Sequence, residues 1–125
     1  SSVALIKELV REVSARPDDR GAEALGRMVA GMATLRQMSL SVAGMLQHGQ
    51  NPNLEAATVK DVGTTFEQSV PEQVHALLDM EPTLATGSQL QQVHGYITQV
   101  APSFSLRGGT REVLRGIIAR GLGLR

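Results

Sequence analysis

The segment from Arg107 to Thr110 has the residue types best suited to contacting a ligand through the backbone. Gly108 and Gly109 have no Cβ, so a chain that turns there can approach a ligand closely. Thr110 can cap the helix predicted to follow it, which leaves free amides and the positive end of the helix dipole facing a ligand. The same pattern also describes a simple glycine-rich entry to a capped amphipathic helix. The residues alone leave both interpretations open.

Basic residues are concentrated beyond residue 105. They are Arg107, Arg111, Arg115, Arg120 and Arg125, and Glu112 is the only acidic residue among them. One interpretation is a solvated helix face, because arginines are mostly exposed. The other is an edge that faces a phosphate group or another subunit.

Side chains for other kinds of catalysis are missing or scattered. The sequence has no cysteine, which excludes disulfides and cysteine-ligated zinc or iron–sulfur sites. His48, His75 and His94 are far apart and not in a metal-binding spacing, so we expect no metal site and expect each at the surface or at a helix end. No sharp-turn nucleophile motif and no glycine-rich phosphate loop with a lysine is present, so triad hydrolysis has no support.

Composition and charge limit the partners. Twelve basic and twelve acidic residues give a net charge of zero, and the aromatic residues are only Phe66, Tyr96 and Phe104. We therefore expect no bulk electrostatic attraction to nucleic acid or to an anionic membrane. We also expect no surface on which bases could stack. No apolar run is long enough to span a bilayer, and the N-terminus does not resemble a signal peptide. We expect a cytoplasmic protein.

The spacing of apolar residues predicts helices throughout. A short helix with apolar residues between Val3 and Val13 ends before Pro17, and Asp18 or Asp19 could cap the next one. The predicted helices that follow cover about residue 20 to Gln47, about Leu54 to Met80, about Gln89 to Val100, and a final segment that opens at Thr110.

Prolines and glycines separate these predicted helices. Residues 49–53 form a break, residues 81–88 a loop, and residues 103–109 a connection after Pro102. Pro71 should kink or interrupt the third long segment, with Ser69 as a possible new cap. The predicted fold is all-α: an up-and-down four-helix bundle with an additional short helix, and a core of Leu, Met, Val and Ile.

The last segment is specific enough to indicate a family. Residues 107–119, RGGTREVLRGIIA, strongly resemble the C-terminal signature of the acyl-CoA dehydrogenases, in which a Gly-Thr-Ser-Glu-Ile-Gln-Arg-like run opens the last helix and leads to Ile-Ile-Ala. The tail GLGLR is similar to the family's Leu-Gly-Leu-Pro-Arg ending without the proline. Residues 55–60, EAATVK, are similar to the family's Glu-Ala-Ala-Met-Ala-Lys at the start of a bundle helix.

The resemblance implies a role for the glycine turn. In the family this turn lies beside FAD and the thioester of the acyl-CoA substrate, where a backbone amide binds the thioester oxygen and stabilises the developing enolate. By position that amide belongs to Gly108, which makes Gly108 the substrate-binding residue. Gly109, Thr110 and Glu112 would contact the flavin. The implied activity is flavin-dependent α,β-dehydrogenation of an acyl-CoA thioester.

The sequence also departs from the family pattern. Gly108 occupies the position of the family's catalytic glutamate, so no catalytic residue is assigned to this chain. Residues 14–20 do not match the family's Arg-and-Phe/Gln segment that reaches the flavin pyrophosphate across the dimer, and residues 81–87 replace its Gly-Gly-x-Gly-Tyr loop. These departures resemble divergent members that assemble from unlike subunits.

The resemblance assigns residues 1–125 to the family's C-terminal helical bundle, without the N-terminal helical and middle β domains. We therefore expect the isolated chain to be inactive and to bind no FAD, while the parent enzyme binds FAD and acyl-CoA and forms homo- or hetero-oligomers. The alternative is a non-catalytic interaction subunit or domain that supports a catalytic partner.

Overall fold

The computed structural model describes residues 1–85 and 87–124 of the chain. Its helices are α1 (Ser2–Ala15), α2 (Asp19–Gln47), α3 (Asn53–Leu78), α4 (Gln89–Val100), a 3₁₀ helix (Ala101–Leu106) and α5 (Arg111–Gly121). No strand occurs among the described residues, so the prediction of an all-α bundle is confirmed. No helix in this part of the chain is long and apolar enough to cross a membrane.

Polar side chains at the helix starts explain where several helices begin. The Asp18 carboxylate accepts a hydrogen bond from the Gly21 amide at 2.6 Å, which makes Asp18, and not Asp19, the cap of α2. Ser88 and Gln91 form a reciprocal capping box at the start of α4.

The hydrophobic core lies where α1, α4 and parts of α2 and α3 meet. Its buried side chains are Leu5, Ile6, Leu9, Met28, Val70, Val74, Leu90 and Ile97. α1 packs on the C-terminal half of α3, with Ser2 beside Glu67, while α5 packs antiparallel on the N-terminal half, with Gly121 against Leu54. The bundle therefore presents two different ends, and α5 belongs to the end away from α1.

Pro71 does not interrupt α3, and the prediction of a new helix cap at Ser69 is wrong. The helix is continuous through Pro71, and the Ser69 hydroxyl donates back to the Phe66 carbonyl. Proline cannot donate to the carbonyl four residues earlier, which belongs to Glu67. The Ser2 hydroxyl donates to that carbonyl at 2.7 Å. A contact from α1 thus replaces the missing helical bond.

The predicted connection after α4 is more ordered than expected. α4 ends at Val100, as predicted, but the chain continues directly as a 3₁₀ helix. The Ser103 hydroxyl donates to the Val100 carbonyl and the Ser105 hydroxyl to that of Pro102, while Phe104 is buried. Short polar side chains and one buried aromatic ring therefore hold this segment against the bundle.

Candidate functional site

The turn before α5 has the backbone conformation that its two glycines allow. Gly108 has φ +69° and Gly109 has φ +103°, both in the region that side chains disfavour. A Cβ on Gly109 would lie 3.6 Å from Leu114, which is buried in the first turns of α5. The turn therefore folds back onto the helix that it introduces.

Thr110 lies at the N-cap position of α5, but its side chain does not cap the backbone. The prediction of a threonine cap is wrong in this respect. Hydrogen bonding to the Glu112 backbone N–H, and then to the Thr110 side chain, lowers the pKa of the exposed Glu112 carboxyl, and the charges of Arg111 and Arg115 act in the same direction. The positive end of the helix dipole is thus met by a carboxylate of the chain itself.

α5 is anchored to α3 through one carboxylate and two arginines. Asp61 lies 3.5 Å from the Nε atoms of both Arg111 and Arg115, and Arg111 also donates to Gln68 at 3.0 Å and to Thr65 at 3.2 Å. The Asp61 Oδ1 and Arg111 Nε atoms are both buried. They form an ion pair, but their geometry is not that of a hydrogen bond. These contacts fix the start of α5, and with it the glycine turn.

The arginine cluster therefore does not form one surface. Arg111 and Arg115 pair with α3, and the guanidinium of Arg107 stacks on the Phe104 ring at 4.7 Å from its centroid. Arg120 is exposed, and Arg125 lies outside the described residues. Most of these side chains serve contacts within the bundle, which neither sequence interpretation included.

Lys60 of α3 lies beside the turn and was not predicted as a site residue. Its Nζ donates to the Thr64 hydroxyl at 3.0 Å and to the Phe104 carbonyl at 3.3 Å. Its Cε would be 3.7 Å from a Cβ on Gly108. The residues are more than forty positions apart, and because sequence spacing cannot reveal such a contact, only the fold brings them together.

The predicted site residues open onto two different cavities. Gly108 lines one of about 670 Å³, together with Lys60, Leu114 and Arg120. Thr110 and Glu112 line another of about 360 Å³, with Gln68 and Arg111. Gly109 lies between them, against Leu114. The turn thus separates the exposed backbone of Gly108 from the polar side chains that follow it.

The histidines do not contribute to this site, and the expectation for His94 is wrong. His94 is 1% exposed; its Nε2 donates to the Pro71 carbonyl at 3.0 Å and its ring stacks on His75 with centroids 6.4 Å apart. His48 is exposed at the end of α2. Among the described residues, no group of three or more His, Asp or Glu side chains could hold a metal ion.

Comparison with known proteins agrees with the C-terminal signature. Residues 11–123 match the family model described as Acyl-CoA dehydrogenase, C-terminal domain. Comparison with curated proteins and with solved structures gave no significant match. The family model covers most of the chain, including α2 to α5 and the glycine turn. The chain belongs to the acyl-CoA dehydrogenase family and corresponds to its C-terminal domain.

Proposed function

We propose that this chain is the C-terminal domain of a flavin-dependent acyl-CoA dehydrogenase, in which it contributes contacts to FAD, to the thioester and between subunits. The observation that supports this proposal most is the turn at Gly108 and Gly109, which has two successive positive φ angles and is held against α3 at the start of α5. The family match covers the same segment. The substrate class would be a fatty acyl-CoA thioester, converted in the cytoplasm.

The role proposed for Gly108 is to donate its amide hydrogen to the thioester oxygen. Gly108 is exposed, and the nearest atom to a Cβ there would be Lys60 Cε at 3.7 Å, so a ligand can approach the backbone. Hydrogen bonding at this oxygen stabilises negative charge as the α-proton leaves. Bound FAD would accept the hydride from the β-carbon of the acyl chain.

The chemistry of Thr110 and Glu112 limits which part of FAD they can contact. The Glu112 carboxylate is an acceptor and already occupies the start of α5. An acceptor suits the hydroxyl groups of the ribityl chain and repels a pyrophosphate. We therefore assign Thr110, Glu112 and the Gly109 backbone to the hydroxyl-bearing part of FAD.

This domain supplies no proton-abstracting base at the turn. Gly108 has no titratable side chain, and Glu112 faces the other cavity. In this proposal the base comes from outside residues 1–125, and the isolated chain is inactive with added FAD and octanoyl-CoA. Measurable dehydrogenation by the isolated chain would overturn that part of the proposal.

The main experiment is expression of the complete gene with any co-encoded partner, followed by measurement of bound flavin from its absorbance. We expect Glu112→Gln to weaken flavin binding and Glu23→Gln, on the exposed face of α2, to leave it unchanged. Equal flavin content in both variants would count against contact of Glu112 with FAD.

The alternative is a non-catalytic interaction subunit that supports a catalytic partner, and Gly108 favours it because a glutamate is expected there. Flavin stoichiometry distinguishes the two functions: one flavin per copy of this chain supports the first, and flavin only in proportion to the partner supports the second. Both require association with another chain or copy, so a monomer by light scattering after expression with any co-encoded partner would count against both.

A further inference from the structure

The cavity that Gly108 lines is bordered by positive charge. Two of its side chains are basic, Lys60 of α3 and Arg120 of α5, and the others are apolar or the neutral amide of Asn53. Within the described part of the chain, no acidic side chain lines this cavity, because Glu112 lies on the other side of the turn. The cavity therefore favours a ligand atom that carries negative charge.

The ammonium group of Lys60 lies on the side of the glycine turn. The side chain also borders a cavity between α2 and α3, but its Nζ donates to the Phe104 carbonyl at 3.3 Å, and its Cε would be 3.7 Å from a Cβ on Gly108. Since Nζ is one bond of about 1.5 Å from Cε, it lies within about 5 Å of that Cβ position. One oxygen atom of a ligand can therefore lie close to both the Gly108 backbone and the ammonium group.

Lys60 also has a donor and a charge that the bundle does not use. An ammonium group has three N–H donors, and two of them bind the neutral Thr64 hydroxyl and Phe104 carbonyl. Within residues 1–85 and 87–124, no carboxylate lies within 4.0 Å of Nζ, and the adjacent Asp61 is paired with α5 instead. The residue is half-buried. A half-buried charge without a counter-charge stabilises an anionic ligand atom beside it.

We propose that Lys60, together with the Gly108 amide, stabilises the negative charge that develops on the thioester oxygen. This inference rests on the function proposed above. When the α-proton passes to the base outside residues 1–125, the electron pair of the C–H bond moves into the enolate, and the thioester oxygen becomes negative. The amide and the ammonium group are both in place before this charge forms, so they stabilise it without rearrangement.

Lys60 also holds the backbone ahead of the turn, so the test must separate its charge from its hydrogen bonds. Lys60→Gln removes the charge, but the amide can still donate to Thr64 and Phe104. Lys60→Arg retains the charge, and Lys60→Met removes both the charge and the donors. Lys7→Gln, an exposed substitution on α1, is the matched control for the change in net charge.

The kinetic measurement uses the complete gene product with any co-encoded partner, and octanoyl-CoA as substrate. We expect Lys60→Gln and Lys60→Met to lower kcat at least about tenfold with KM nearly unchanged, because the charge acts on the transition state. Lys60→Arg should recover most of this loss, and Lys7→Gln should cause none. If Lys60→Gln were as active as the parent while Lys60→Met was not, the lysine would act only through its hydrogen bonds, and the proposal would be overturned.

A second measurement does not depend on turnover. Acetyl-CoA has no β-carbon and cannot be dehydrogenated, so the infrared stretch of its isotope-labelled thioester carbonyl reports how strongly the bound oxygen is polarised. We expect a higher stretching frequency in Lys60→Gln and Lys60→Met, and the parent frequency in Lys60→Arg and Lys7→Gln. An unchanged frequency in Lys60→Gln, with flavin and acetyl-CoA bound, would overturn the role of Lys60 alone. A gene product that bound neither flavin nor acyl-CoA would overturn the proposed function, and this inference with it.

Discussion

The Ser2 hydroxyl donates to the Glu67 carbonyl at 2.7 Å, which is the carbonyl that Pro71 leaves without a helical partner. Ser2 is 1% exposed and joins the first turn of α1 to the middle of α3. The contact explains how α3 continues through a proline in its interior, and it holds the first turn of α1 against α3.

We expect Ser2→Ala to lower the free energy of unfolding by about 1–2 kcal/mol, because the Glu67 carbonyl would remain buried without a donor. Urea denaturation measures the change. In the Pro71→Ala background the new backbone amide can donate to the Glu67 carbonyl. Ser2→Ala should therefore lower the free energy of unfolding by clearly less in that background. Ser41→Ala, on the exposed side of α2, is the control. An equal cost of Ser2→Ala in both backgrounds would contradict this account of Pro71.

The glycine turn should be sensitive to substitution. Gly108→Ala places a side chain at φ +69° and Gly109→Ala at φ +103°, so we expect losses of about 1 kcal/mol and about 2 kcal/mol or more, respectively. Gly26→Ala is the matched control, because Gly26 is helical and exposed with nothing near its Cβ position; it should stabilise by about 0.5–1 kcal/mol. No loss of stability in Gly109→Ala would argue against this turn conformation.

Asp61 should contribute more to the stability of the fold than a surface ion pair does. Asp61→Asn leaves Arg111 and Arg115 without their counter-charge on α3, and we expect a loss of about 1–3 kcal/mol with faster hydrogen exchange along α5. Glu23→Gln breaks an exposed pair with Arg27 and should cost about 0.5 kcal/mol or less. If the two variants were equally stable, the contact between α3 and α5 would not depend on this carboxylate.

The sequence was sufficient to predict the helices, because apolar spacing and caps act over a few residues. It placed α2 from about residue 20 to Gln47, and the helix spans Asp19–Gln47. The signature at residues 107–119 was equally local, and it indicated the family that the family model supports.

The errors came from contacts between distant segments. Pro71 was expected to kink or interrupt α3, and its replacement donor, Ser2, could not be foreseen because it lies 65 residues from Glu67. His94 was expected at the surface or at a helix end, but α4 packs back on α3, where the Pro71 carbonyl and the His75 ring lie next to it. Lys60 was overlooked for the same reason: nothing in its local spacing indicates the Phe104 carbonyl or the glycine turn.

Glu112 gives a prediction for pH dependence. Its pKa is lowered in the folded chain by the bonds from its own backbone N–H and from Thr110. A carboxyl group with a depressed folded pKa contributes stability that is present above the unfolded pKa and is lost as the pH falls through the folded pKa. Glu112→Gln should therefore be less stable than the parent at neutral pH, with the difference disappearing below the folded pKa of Glu112.

Carbon-detected NMR titration of the Glu112 carboxyl group measures the pKa directly. We expect its midpoint below the ordinary glutamate value, and Thr110→Val should move it upwards because one bond to the carboxylate is lost. Glu72→Gln, an exposed substitution on α3, controls for the change in net charge. If Thr110→Val left the midpoint unchanged, the hydroxyl would not bind the carboxylate in solution and would remain free to contact a ligand beside the turn.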